Sequence, residues 1–82
     1  MPSNEIQRLR WQCRRGMLEL DYLLEGYLDK QYETAAESER LLFSHLLDQH
    51  DLDLQRWLLQ EQLPNDQDLA LIASIVRKND NT

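Results

Sequence analysis

Apolar residues recur at intervals of three and four along nearly the whole chain, with few helix breakers among them. Ile6, Leu9 and Cys13 keep this spacing near the start. Met17, Leu20, Leu24, Tyr27 and Leu28 continue it, and Leu23 widens the stripe. Leu42, Phe43, Leu46 and Leu47 follow, then Leu54, Trp57 and Leu58, and finally Leu69, Ile72, Ala73 and Val76. A period of this kind places each set on one face of a helix. Two glycines and two prolines in 82 residues leave little material for tight turns. Leucine is abundant while valine and isoleucine are scarce, which favours helix over sheet.

The punctuation between these stripes divides the chain into five helices. Ser3 is the expected N-cap of a first helix over residues 4–14, and Gly16 stops it, as glycine does just past a helix end. The second helix covers residues 17–32. Gly26 lies inside its pattern at a cost of about 1 kcal/mol relative to alanine, so a kink or a close helix contact is expected there. Thr34-Ala35-Ala36-Glu37 reads as a capping box that opens the third helix. Asp51 is the expected N-cap of the fourth, which runs to about residue 62. Leu63-Pro64 breaks it, because the residue before proline is pushed away from helical geometry. Asn65 is the expected cap of the fifth helix, which runs to about residue 78, with Asp66 and Asp68 favourable near its positive end. The expected fold is all-α, a compact bundle of about five short helices. It forms one domain over residues 1–82, with residues 1–3 and 79–82 as flexible ends.

A domain this small buries roughly 60–65% of the surface of its unfolded chain. That suffices for a core and leaves little room for an enclosed active site. Cys13, the single cysteine, has no partner for an internal disulfide. The N-terminal residues show no basic stretch followed by an apolar one, so no secretory signal is expected. No apolar run approaches the ~20 residues that span a bilayer. A cytoplasmic protein without direct membrane insertion is expected.

The formal net charge is −6, unevenly spread. Residues 1–15 hold Arg8, Arg10, Arg14 and Arg15 against Glu5, whereas residues 16–82 hold fourteen acidic and five basic residues. A basic edge on an acidic body suits electrostatic steering to a protein partner. Arg8, Arg10, Trp11, Arg14 and Arg15 also have the mixed basic and aromatic character of a nucleic-acid patch. The patch is short and the acidic body repels phosphate, so no nucleic-acid partner is expected.

Reaction chemistry finds no foothold. His45 and His50, five residues apart, diverge by about 140° on a helix and share no face. Asp48, Asp51 and Asp53 cluster without the turn glycine of a calcium loop. There is no phosphate-binding glycine loop and no nucleophile elbow. No catalytic residue, no metal and no cofactor of its own is expected.

One segment is more specific. Arg14-Arg15-Gly16-Met17-Leu18-Glu19-Leu20-Asp21 sets an arginine, a glycine and a glutamate in an R-G-x-x-E pattern where the first two helices meet. Downstream, Leu46-Leu47 leads into Asp51-Leu52-Asp53-Leu54-Gln55-Arg56-Trp57-Leu58, a D-x-x-L-x-x-W-L pattern. With Trp11 upstream and so short a chain, most of residues 8–76 resembles the FAD assembly factors of succinate dehydrogenase and fumarate reductase. These are small bacterial proteins, with mitochondrial relatives, that promote covalent flavinylation. Gly26 departs from the pattern, since some members carry proline there, and the shape of the second helix is left open.

The resemblance implies an assembly chaperone rather than an enzyme. Such a factor binds the flavoprotein subunit and favours the bond between a subunit histidine and the isoalloxazine. The chemistry stays with the flavoprotein and its FAD. The resemblance places Arg15, Gly16 and Glu19 at or beside the interface. Trp11, Arg14 and Arg8 lie near them in sequence and complete the expected partner-binding set. The free factor is expected to be monomeric. Plainer roles stand beside these: Gly16 as a helix cap, Glu19 bonding back to an amide near Gly16, and Arg15 as a solvated cation at a helix end. Arg15 has the weakest structural explanation of the three. Trp57 is expected in the core, while Trp11 is open between surface and interface. An alternative function on the same fold is a regulatory binding module, an antitoxin-like antagonist of a membrane-associated toxin. A further alternative is nucleic-acid binding by the first helix.

Overall fold

The computed structural model describes residues 4–60 and 62–79. Among them run α1 (Asn4–Cys13), α2 (Leu18–Lys30), α3 (Glu37–Leu47), α4 (Asp51–Leu58) and α5 (Gln67–Asn79). A 3-10 turn occupies Tyr32–Thr34, and no strand occurs among the described residues. The all-α bundle read from the sequence is the fold observed. Ser3 and the two chain ends, residues 1–3 and 80–82, lie outside the described residues, while Asn79 closes α5.

Helix α5 packs on α2, α3 and α4, and α1 lies against α2 and α3. Every expected apolar stripe faces this interior. Ile6, Met17, Leu42 and Trp57 pack at its margin, and the other stripe residues are buried. Tyr27 stacks on Phe43 at 4.5 Å between ring centroids, and Tyr32 approaches the same ring at 6.0 Å. Both phenols reach a carboxylate: Tyr27 donates to Glu39 and Tyr32 to Glu5, each at 2.6 Å. These bonds let amphipathic rings enter the core without leaving a hydroxyl unpaired. Arg40 spans the α2–α3 connection, donating from Nε to the Tyr32 carbonyl at 3.0 Å and from its terminal nitrogen to the Glu33 carbonyl.

Helix ends depart from the sequence reading in several places. The capping box at Thr34 is not formed. Thr34 is taken into the 3-10 turn and donates its hydroxyl to the Gln31 carbonyl, so α3 starts at Glu37 behind Ala36. Asp51 is the first helical residue of α4 rather than its cap, and His50 precedes it in extended geometry. At α5 the cap is Asp66, not Asn65, since the Asp66 carboxylate accepts the amides of Asp68 and Leu69. Helix α4 ends at Leu58, short of residue 62, because the Leu59 and Gln60 amides both turn back to the Gln55 carbonyl. Helix α2 continues through Gly26 to Lys30.

Candidate functional site

The segment between α1 and α2 holds three of the six sequence-predicted residues, Arg14, Arg15 and Gly16, with Trp11 and Arg8 on α1 and Glu19 on α2. Gly16 adopts a φ of +77°. This region costs an L-residue roughly 1–2 kcal/mol and is free to glycine. A methyl group on Gly16 would meet nothing within 4 Å, so no neighbour crowds this position and the glycine is needed for its backbone geometry. The amides of Arg15 and Gly16 donate to the two carboxylate oxygens of Asp21, at 2.8 and 3.3 Å. Asp21 therefore does what the plainer reading gave to Glu19.

Arg15 corrects the expectation that it had little structural role. Its side chain is 15% exposed. Its Nε donates to the Gln12 carbonyl at 2.7 Å, and one terminal nitrogen donates to the Gln49 carbonyl at 3.0 Å and to Asp51 at 2.9 Å. The other terminal nitrogen donates to the Leu47 carbonyl. One guanidinium thus ties the end of α1 to the carbonyls that close α3 and to the first residue of α4. Carbonyls at a helix C-terminus carry partial negative charge and need donors, which makes this a favourable place for a planar cation.

Glu19 is exposed and makes no hydrogen bond or ion pair among the described residues. It does not orient Arg15. Two residues from Asp21 on α2, it lies on a flank about 160° away. Leu18 beside it is 87% exposed and Tyr22 is 65% exposed. Sequence reasoning passed over these two apolar residues. Their signal was available, because both fall out of phase with the stripe of Leu20, Leu24 and Leu28.

The expected basic edge is broken up. Arg10 is engaged by Asp29 at 2.6 Å and Glu25 at 3.5 Å, both on α2. Arg15 is turned inward. Arg8 is exposed on a separate flank, about 160° from Arg10 on the helix. Arg14 is exposed and makes no ion pair among the described residues. Trp11, 76% exposed, joins Gln7, Arg10 and Arg14 around a shallow hollow of about 220 Å³. Their spacing of 7, 10, 11 and 14 is one helical face.

The reactive groups are quiet. Burial, aided by the Glu25 carboxylate, pushes the Cys13 thiol up to about 12, so it stays protonated at neutral pH. Burial likewise raises Tyr32, with its bond to Glu5, up to about 12, and Tyr27 is raised for the same reasons, burial first and then Glu39. His45 and His50 are both exposed. No group of three or more potential metal ligands occurs among the described residues, nor is any helix there long and apolar enough to cross a membrane.

Comparison with known proteins adds a second line of support. Residues 7–79 match the family model described as flavinator of succinate dehydrogenase. A protein from Shewanella oneidensis named FAD assembly factor SdhE is 39% identical over 77 residues, covering 94% of each chain. Proteins of the same name from Idiomarina loihiensis and Legionella pneumophila are also similar. The first is 44% identical over 64 residues, which is 78% of this chain and 71% of the relative. The second is 38% identical over 80 residues, which is 98% of this chain and 100% of the relative.

Proposed function

The chain belongs to the family of succinate dehydrogenase flavinators, and from that membership we propose how it acts on its partner. It is an assembly factor that promotes attachment of FAD to succinate dehydrogenase. It binds the flavoprotein subunit of that enzyme, or of fumarate reductase, through the α1–α2 junction. The observation that carries this reading is the set of uncommitted groups displayed there. Gly16 offers bare backbone with open space beyond it, flanked by exposed Leu18 and Glu19. A partner's backbone can approach closely over a glycine. Leu18 and Tyr22 give this flank exposed apolar area that a partner can cover, beside a carboxylate with no internal bond among the described residues. Trp11 and Arg14 extend the surface along α1, and tryptophan and arginine are the residues that most often anchor interfaces. Arg15 serves from behind, holding the junction in shape. Arg8 stands apart on α1 and adds only to long-range steering.

The factor contributes binding and no bond-making of its own. The state of its reactive groups supports this, with a buried, protonated thiol and two solvated imidazoles. On this reading it brings no flavin of its own and acts on that of its partner. The factor acts in the cytoplasm as a monomer until it meets its subunit.

The direct test is in-gel flavin fluorescence of the flavoprotein subunit, produced with and without this protein. Covalent flavin should rise in its presence. Equal fluorescence in the two samples would remove the reading. A Glu19→Ala variant, which breaks no internal bond, should retain the fold and lose most of the gain.

A further inference from the structure

Glycine permits the turn at position 16 but does not enforce it. A glycine populates positive and negative φ about equally, so the +77° geometry needs a cause outside the residue. The cause visible in the structure is Asp21. Its two oxygens take up two successive amides, those of Arg15 and Gly16, at 2.8 and 3.3 Å. A carboxylate receiving consecutive amides pins both peptide planes at once, and hydrogen bonds to an ionised group are the stronger kind. Asp21 is half-buried and sits on α2, four residues into the helix that also carries Leu18 and Glu19. The same helix thereby fixes the bare backbone notch and presents the side chains around it.

We propose that Asp21 is a positioning residue for partner binding. It holds the Arg15–Gly16 peptides in the one arrangement that sets the glycine notch against Leu18 and Glu19, without touching the partner itself. Arg15 completes the frame from the other side, anchoring the junction to the α3–α4 turn through the Leu47 and Gln49 carbonyls and Asp51. Released from Asp21, the glycine samples its other conformations. The fraction of factor competent to bind then falls, and the apparent dissociation constant rises by the inverse of that fraction. This inference rests on the reading of the α1–α2 junction as the flavoprotein-binding surface.

The test uses the full-length factor and the FAD-free flavoprotein subunit. Two quantities are measured: the dissociation constant, and the rate of covalent flavin attachment at saturating factor. Asp21→Ala should raise the dissociation constant about tenfold, the loss expected of one charged hydrogen-bonding acceptor. The saturating rate should be unchanged, because the bound complex is the same. Asp21→Asn keeps one acceptor oxygen and should recover part of the affinity. Adding Asp21→Ala to Gly16→Val should cost nothing further, since the turn is already lost in the valine variant. A role in overall stability alone would leave the affinity of the folded fraction unchanged, and that result would overturn the proposal. Independent, multiplicative losses in the double variant would overturn it too, by showing that Asp21 meets the partner directly. Should the unsubstituted factor fail to bind the subunit, the functional reading falls first and this inference with it. Binding by the unsubstituted factor with an unaffected Asp21→Ala isolates the failure to Asp21.

Discussion

Two helix connections in this bundle are held by the same device and end in opposite states. At the α2–α3 connection, Arg40 donates to the Tyr32 and Glu33 carbonyls and lies 5.3 Å above the Tyr32 ring. At the α1–α2 junction, Arg15 donates to the Gln12, Leu47 and Gln49 carbonyls. Both guanidiniums supply donors to backbone oxygens that helices leave unpaired. Yet the first connection drives its aromatic residue, Tyr32, into the core, whereas the second leaves Leu18 almost wholly in water. The difference lies in what the connection is built around. Tyr32 folds inward onto Phe43, and its hydroxyl is satisfied by Glu5. Gly16 has no side chain to fold inward, and the carboxylate that might have covered it, Asp21, is used on the amides. An arginine staple is neutral as to function. Under the docking mode proposed above, it frames a partner surface where the residues it fixes have nothing of their own to bury.

The contrast can be broken experimentally, beginning where the effect is largest. Alkali should dissolve the closed end, and through Cys13 loosen the end of α1 as well. The Tyr27 and Tyr32 phenols and the Cys13 thiol are all raised above their ordinary values of 10.0 and 9.0. Groups raised in the folded state favour the protonated form there, so their contribution is intact below the unfolded values and is lost as pH rises. Urea midpoints should hold steady up to pH 9 and fall progressively toward pH 12. A flat profile across that window would contradict the burial of these groups. Phe43→Ala should cost about 3–5 kcal/mol, since it empties the site shared by Tyr27 and Tyr32. Calorimetry would register it as a large drop in Tm.

At the open end the effects are smaller and divide between stability and binding. Arg15→Ala should cost about 2–3 kcal/mol by leaving helix-end carbonyls without donors, and subunit affinity should fall with it. Chemical denaturation of the isolated factor separates the two losses. Gly16→Ala should cost about 1 kcal/mol from its backbone geometry alone. Replacing Gly16 by D-alanine in a synthetic chain should restore stability, since that isomer accepts positive φ. If D-alanine also restores subunit binding, the space beyond Gly16 is not where the partner sits. Glu19→Ala and Trp11→Ala should each shift stability by less than about 0.5 kcal/mol while weakening binding. A large destabilisation by either would mean that these side chains are engaged internally.

The apolar stripes were legible because helical periodicity places them without reference to anything distant. Leu20, Leu24, Phe43, Leu54 and Ile72 are all fully buried, as their phase requires. Helix ends were less legible because adjacent residues compete for the same cap. Asn65 and Asp66 are both good caps, and geometry chose the second. At Thr34 a 3-10 turn claimed the hydroxyl before α3 could use it. Gly16 and Glu19 were singled out by pattern, and the structure leaves both exposed. The role of Arg15 was legible only as a cation at a helix end, which its bond to the Gln12 carbonyl matches. Its tie to the α3–α4 turn was not, because two of its acceptors, the Leu47 and Gln49 carbonyls, lie more than thirty positions away and a carbonyl has no letter in the sequence.

The burial of Cys13 gives the bundle an internal clock. Its sulfur is fully enclosed and stays protonated, so an alkylating reagent added at neutral pH finds no target while α1 is seated. Each labelling event must therefore await departure of that helix. In the proposed docking mode the helix that meets the flavoprotein is also the one that carries and covers the thiol, so the pace of thiol capture, with and without the subunit, reports how firmly docking clamps the N-terminal helix onto the rest.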